Sequence, residues 1–187
     1  QSGFSRTGYN FGYEYYNIKP DLLCCGKAMG GGIAISGVIG KKEIMDLPEI
    51  GNMSSTNSAN PIACSAGIAV IQEILKKKLT KKTSLKGIYL KKMLESIQKK
   101  YPGEVKYVLG QGLIFSIIFD NSKKDIGNIL KKVCFEAMKN GLLVVCTGRE
   151  SIKIGPPLTI TNGALREGVK ILEKSIGKIF YEKNISS

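Results

Sequence analysis

Apolar residues first gather in two short runs, Leu22 to Cys25 and Ile33 to Ile39, closed by Gly26 and Gly40. Runs of that length, the second rich in β-branched residues, predict two strands of one sheet, the first of them buried. Lys41 to Leu47 predicts a short helix that stops before Pro48, since the residue ahead of a proline is pushed out of the helical region. Residues 1 to 20 keep no period and read as an aromatic-rich loop with a short helical turn, ending at Pro20. From Pro61 the period changes to that of a helix, with Ile62, Ala63, Ala66, Val70, Ile71 and Ile74 on one side and a lysine turn, Lys76 to Lys78, at its end. A second helix over roughly 82 to 100 puts Leu90, Met93, Leu94 and Ile97 on one face, and Tyr101-Pro102-Gly103 breaks it.

The remaining chain reads strand, strand, helix, strand, strand, helix. Tyr107 to Leu109 and Leu113 to Phe119 flank Gly110-Gln111-Gly112, a bend or tight turn. Ile126, Ile129, Leu130, Val133, Cys134, Ala137 and Met138 keep helical spacing, with Asn140-Gly141 as the stop. Leu142 to Cys146 and Ser151 to Ile154 are strands, and Thr161 caps a last helix burying Leu165, Val169, Leu172, Ile176 and Ile179. The pattern divides the chain into residues 1 to 82, the far half of a larger α/β layer, and residues 83 to 187, a linking helix and a small α+β domain.

Composition removes several chemistries. With no histidine there is no Ser-His-Asp hydrolysis, no Cys-His pair and no His-containing zinc site. The five cysteines show no Cys-x-x-Cys spacing, so neither a metal site nor a disulfide is expected, and an odd count fits reduced thiols in the cytoplasm. No apolar run approaches the roughly 20 residues of a membrane span. The 28 Lys plus Arg against 15 Asp plus Glu raise nucleic-acid binding as a possibility. The lysine pairs fall on the polar sides of helices with few aromatics between them, which makes them solvated faces rather than a focused patch.

Two stretches can carry chemistry. Lys27 follows Gly26 at the rim of the predicted sheet, inside Gly26-Lys-Ala-Met-Gly-Gly-Gly32, where little side-chain bulk surrounds its amine. Partial desolvation there would leave an amine able to attack a carbonyl and hold it as a Schiff base. Composition alone leaves the alternative of one more solvated lysine. The second stretch, Ser54 to Ser58 ahead of Asn60-Pro61, puts hydroxyls beside a helix start, which outlines a phosphate site or, equally by composition, a capped Ser/Thr-rich loop.

Together with Gln1-Ser-Gly-Phe-Ser-Arg-Thr-Gly8, Lys19-Pro-Asp21 and Pro156-Pro-Leu-Thr-Ile-Thr161, these stretches resemble the class III (ornithine and omega-amino-acid type) aminotransferases, in order and spacing. The resemblance implies the C-terminal part of a fold-type I transferase that uses pyridoxal 5'-phosphate, with an α/β large domain and a small C-terminal domain. It implies Lys27 as Schiff-base lysine and proton shuttle, Gln1 at the cofactor's phenolic oxygen, and Ser55 and Thr56 at its phosphate. Thr56 would act from across a homodimer with shared active sites. Arg6 would hold its loop. The aspartate that pairs with the pyridine nitrogen would precede Gln1 by three residues, so these 187 residues alone are expected to be inactive.

Where many family members carry a carboxylate-binding arginine, three residues before Pro-Pro-Leu, this chain has Lys153. A lysine lacks the two-pronged fit of a guanidinium. Arg149 could take the carboxylate or be a turn residue. The implied reaction moves an amino group from a small-molecule amino donor to a keto or aldehyde acceptor, with a terminal amine or amino-sugar-like partner favoured in one half-reaction. An aminomutase or lyase of the same fold, or a catalytically silent fragment, are the alternatives.

Overall fold

The computed structural model describes residues 1–122, 125–148 and 150–181. The chain divides into two compact units, Gln1–Lys82 and Thr83–Ser187. The first contains α1 (Gly12–Tyr15), β1 (Leu22–Cys25), β2 (Gly37–Gly40), α2 (Lys42–Met45), α3 (Pro61–Lys76) and the first residues of α4 (Leu79–Lys100). β1 and β2 form an antiparallel ribbon with Leu22 opposite Gly40 and Cys25 opposite Gly37.

Two sequence expectations change here. The second strand starts at Gly37 rather than Ile33, because the chain from Gly26 to Ile33 folds into successive tight turns. The amides of Met29, Gly31 and Ile33 donate to the carbonyls of Gly26, Ala28 and Gly30 at 3.1, 3.2 and 3.1 Å, so they are spent locally and not in a ladder. Gly30 is required in that path, since a Cβ there would lie 2.1 Å from the Ile33 carbonyl oxygen. Nor is β1 a buried strand. Only Cys25 is buried and Leu22 is 46% exposed, because a two-stranded ribbon cannot enclose both of its faces.

α3 begins where Asn60 and Pro61 predict. Asn60 Oδ1 accepts from the amides of Ile62 and Ala63 at 3.0 and 3.3 Å, and Pro61 fills the first position, where no amide hydrogen is needed. The helix packs on the glycine turns with Val70 over Gly31 and Gly67 beside Met29 and Ile35. Ile62 and Ile71, expected on a buried side, are exposed together with Ile68 and Leu75, so this helix is apolar over more of its circumference than the described unit covers. Asn60→Ala removes the cap while leaving the packing intact. It is expected to cost about 1 kcal/mol, seen as a lower thermal midpoint with unchanged secondary structure by circular dichroism.

The second unit holds the rest of α4, β3 (Val105–Gln111), β4 (Ile114–Phe119), α5 (Ile126–Lys139), β5 (Val145–Cys146), β6 (Ser151–Ile154) and α6 (Asn162–Tyr181). Its sheet is antiparallel in the order β3-β4-β6-β5. One face is core: Phe115, Ile117 and Phe119 alternate inward on β4, as a half-buried strand should. Leu90, Leu94 and Ile97 of α4, Leu130 and Val133 of α5, and Leu165, Leu172 and Ile176 of α6 complete it. α4 approaches the β3–β4 hairpin closely at Gly87, where a Cβ would meet the Gly112 carbonyl oxygen at 2.5 Å.

β3 runs longer and β5 shorter than the sequence pattern suggests. Leu142 donates to Ala137 at 2.9 Å and so belongs to the end of α5, which leaves two residues for the edge strand. Thr161 caps α6 as expected, its Oγ1 accepting from the Ala164 amide at 3.1 Å. No described helix is long and apolar enough to cross a membrane.

Candidate active site

Lys27 occupies the first bend after β1. Its backbone is left-handed, with φ of 52°, a conformation uncommon for a residue with a side chain. The Met29 to Gly26 hydrogen bond closes a turn around Lys27 and Ala28 and holds that conformation in place. The chain therefore spends some backbone strain on projecting this one side chain. Lys41, at the opposite end of the ribbon, is engaged otherwise, its Nζ 2.6 Å from Asp21 Oδ1, and the Asp21 carboxyl is held below its ordinary value by that hydrogen bond and charge.

Lys27 is a wall common to two depressions. One, of about 210 Å³, is lined by Gln1, Phe4, Tyr13, Cys24 and Gly26 as well as Lys27. The other, of about 820 Å³, brings Lys27 together with Ser36, Ser55, Ser58 and Asn60. The hydroxyl loop is ordered by its own bonds: Ser58 Oγ donates to Ser55 Oγ at 3.1 Å, and the Ser58 amide to the Ser55 carbonyl at 3.0 Å. An amine flanked by hydroxyl donors suits a ligand with both an aldehyde and a phosphate, so the residues present fit pyridoxal phosphate.

The sequence-predicted residues fare differently. Gln1 and Ser55 join Lys27. Thr56 is exposed and does not line either depression. Lys27 is itself exposed, not enclosed as its glycine-flanked setting suggested. The free amides expected at the start of α3 are in part already taken by Asn60 Oδ1, so anion binding here would rest on the loop and not on the helix end. Arg6 lies in its loop, where burial pushes its guanidinium below the ordinary value. Lys153 lies half-buried on β6 of the second unit, opposite Ser116 on β4 and Val145 on β5. Arg149 falls outside the described residues. Ser36 was missed by sequence reasoning. The available signal was a single hydroxyl interrupting the apolar run from Ile33 to Ile39.

Comparison with known proteins agrees with the resemblance. The model of the family described as aminotransferase class-III matches residues 1–176. The chain is 38% identical over 96% of its length to a leucine/methionine racemase from Thermococcus litoralis, covering 41% of that protein. It is 34% identical over 96% to an acetylornithine aminotransferase from Caldanaerobacter subterraneus, covering 44%. Its structure superposes on an ornithine aminotransferase from Toxoplasma gondii, a structure described as having partial occupancy of pyridoxal phosphate at the active site, with a TM-score of 0.89 at 26% identity over 98% of this chain and 43% of that one.

The chain belongs to the class III aminotransferases, the pyridoxal-phosphate-dependent family that its motifs resemble. Its α/β unit and small α+β unit are part of that fold, and the chain spans less than half the length of the relatives it matches.

Proposed function

We propose that the polypeptide containing these residues transfers an amino group between an amine or amino acid and a keto or aldehyde acceptor, with Lys27 as the reacting lysine. The observation that carries this reading is the convergence of Lys27, on its strained turn, with Ser55 and Ser58 in one cleft. When bound, pyridoxal phosphate supplies an aldehyde for covalent attachment and a conjugated ring that takes up the electron pair released at the substrate carbon. Lys27 would hold the cofactor through its amine and, once freed by a substrate amine, would carry the proton from the substrate carbon to the cofactor side. Ser55 would orient the phosphate, and Gln1, which lines a depression with Lys27, would donate to an oxygen of the ring. Thr56, exposed beside this cleft rather than in it, is suited to completing the site of a second copy, so the working assembly is a homodimer. Free thiols fit a cytoplasmic setting.

Lys153 is the residue proposed to meet a substrate carboxylate. Lys153→Ala is expected to raise KM for carboxylate-bearing substrates by roughly tenfold or more, the size of a charge-assisted hydrogen bond, with a smaller change in kcat. Lys153→Arg should preserve or improve the fit. Steady-state kinetics on the whole polypeptide with acidic and non-acidic amines checks this, and equal KM changes for both would remove Lys153 from the role.

The similarity to a racemase favours a second reading, in which the same lysine takes a proton from one face of an amino acid and a proton is returned on the other. An aminomutase or lyase would likewise need no acceptor. Incubating amino donors with and without a keto acid, followed by chiral product analysis, separates them. The transaminase reading requires that product form only with the acceptor present.

A further inference from the structure

In the second unit, two free thiols that lie 12 positions apart in the chain come within 3.0 Å of each other, Cys134 Sγ on α5 and Cys146 Sγ on β5. Both are half-buried against the same core. We propose that Cys134 and Cys146 are a dithiol pair that a small-molecule disulfide converts reversibly into a protein disulfide, stapling α5 to the sheet edge.

The geometry supports this in three ways. Closing from 3.0 Å to the roughly 2.05 Å of a disulfide needs only a side-chain adjustment. The strand involved is the two-residue edge strand, held to the sheet through β6 alone, so it can follow its cysteine. The clamp also has a target, because Val145, beside Cys146, pairs directly with Lys153, and Cys146 with Ile152. Sequence spacing conceals the pair, since α5 and β5 meet only through packing. Burial, then the hydrogen bond and charge of Cys146, push the Cys134 thiol up to about 12, which disfavours Cys134 as the first nucleophile.

The exchange balances. Cys146, as thiolate, attacks one sulfur of R–S–S–R; that bond breaks, and the departing thiolate takes a proton from water. Cys134 then attacks Cys146 in the mixed disulfide and expels the second R–S⁻, which carries off the Cys134 proton as R–SH. Two protein thiols are oxidised and one small disulfide is reduced to two thiols.

The test uses the full 187-residue chain treated with oxidised glutathione at neutral pH, then alkylation, thiol counting and peptide mapping. Alkylatable thiols should fall from five to three, with a cross-linked peptide joining Cys134 to Cys146. The thermal midpoint should rise by about 5 °C or more, reversed by dithiothreitol. Cys134→Ser and Cys146→Ser should each keep the cross-link and the rise in midpoint from forming. An unchanged count, a link between other cysteines, persistent glutathione on Cys146, or a cross-link without thermal gain would each overturn the proposal.

Discussion

Lys27→Ala is expected to lower turnover of the whole polypeptide by roughly 10⁴-fold or more and to remove the visible absorbance of bound cofactor, because it removes both the attaching nucleophile and the proton carrier. Lys27→Arg should do the same despite keeping the charge, as a guanidinium does not deprotonate to attack an aldehyde. Neither change should unfold the protein. The side chain is exposed and makes no ion pair among those of the described residues, and alanine at φ of 52° bears about the strain that lysine already bears. Equal thermal midpoints together with lost activity would separate a chemical role from a structural one. Residual activity above a hundredth of the wild type would mean that another group performs the proton transfer.

The largest effect on stability is expected at Phe119. It is 1% exposed, closes β4, and stacks on Phe180 of α6 with ring centroids 5.9 Å apart and planes 5° apart. Phe119→Ala removes a full ring from a packed core and should cost about 3–5 kcal/mol, through lost transfer energy and the cavity left behind. Against the 5–15 kcal/mol typical of a folded domain this is a large fraction, about 10–20 °C in thermal midpoint. Tyr107→Ala provides the contrast. It removes a comparable ring from β3, but one that is 60% exposed, so its effect should stay within about 0.5 kcal/mol. Chemical denaturation of both variants checks the pair, and similar losses would show that this sheet is covered on both faces.

Much of this was legible along the chain because strong local signals and tertiary demands coincide. The helical period of α5 puts Leu130, Val133 and Ala137 in the core, though Met138 at its end is exposed, and Asn60, Pro61 and Thr161 start the helices that they predict. The strand Leu22 to Cys25 was legible in extent but not in burial. Burial depends on how many strands flank a ribbon, and no residue within the ribbon carries that information. Ile33 to Ser36 looked like strand because it is β-branched, yet the turns set by Gly30 to Gly32 hold it out of the ladder.

The candidate site divides in the same way. Lys27 is singled out by the family resemblance, since its glycine-flanked turn by itself leaves a solvated lysine equally open. The role of Asn60 in using up helix amides could not, because the hydroxyl cluster and the cap give the same composition whether the amides are free or taken. The nearness of Cys134 to Cys146 was equally hidden, being a property of how a helix lies against an edge strand.

The central claim is that Lys27 is the amine that takes pyridoxal phosphate. It is tested most directly by mixing the whole polypeptide with pyridoxal phosphate, reducing with borohydride and mapping the modified peptide. A stable pyridoxyl mass on Lys27 at one per chain, absent in Lys27→Ala, is the expected result. Labelling spread over the surface lysines, or unchanged in Lys27→Ala, would contradict the account.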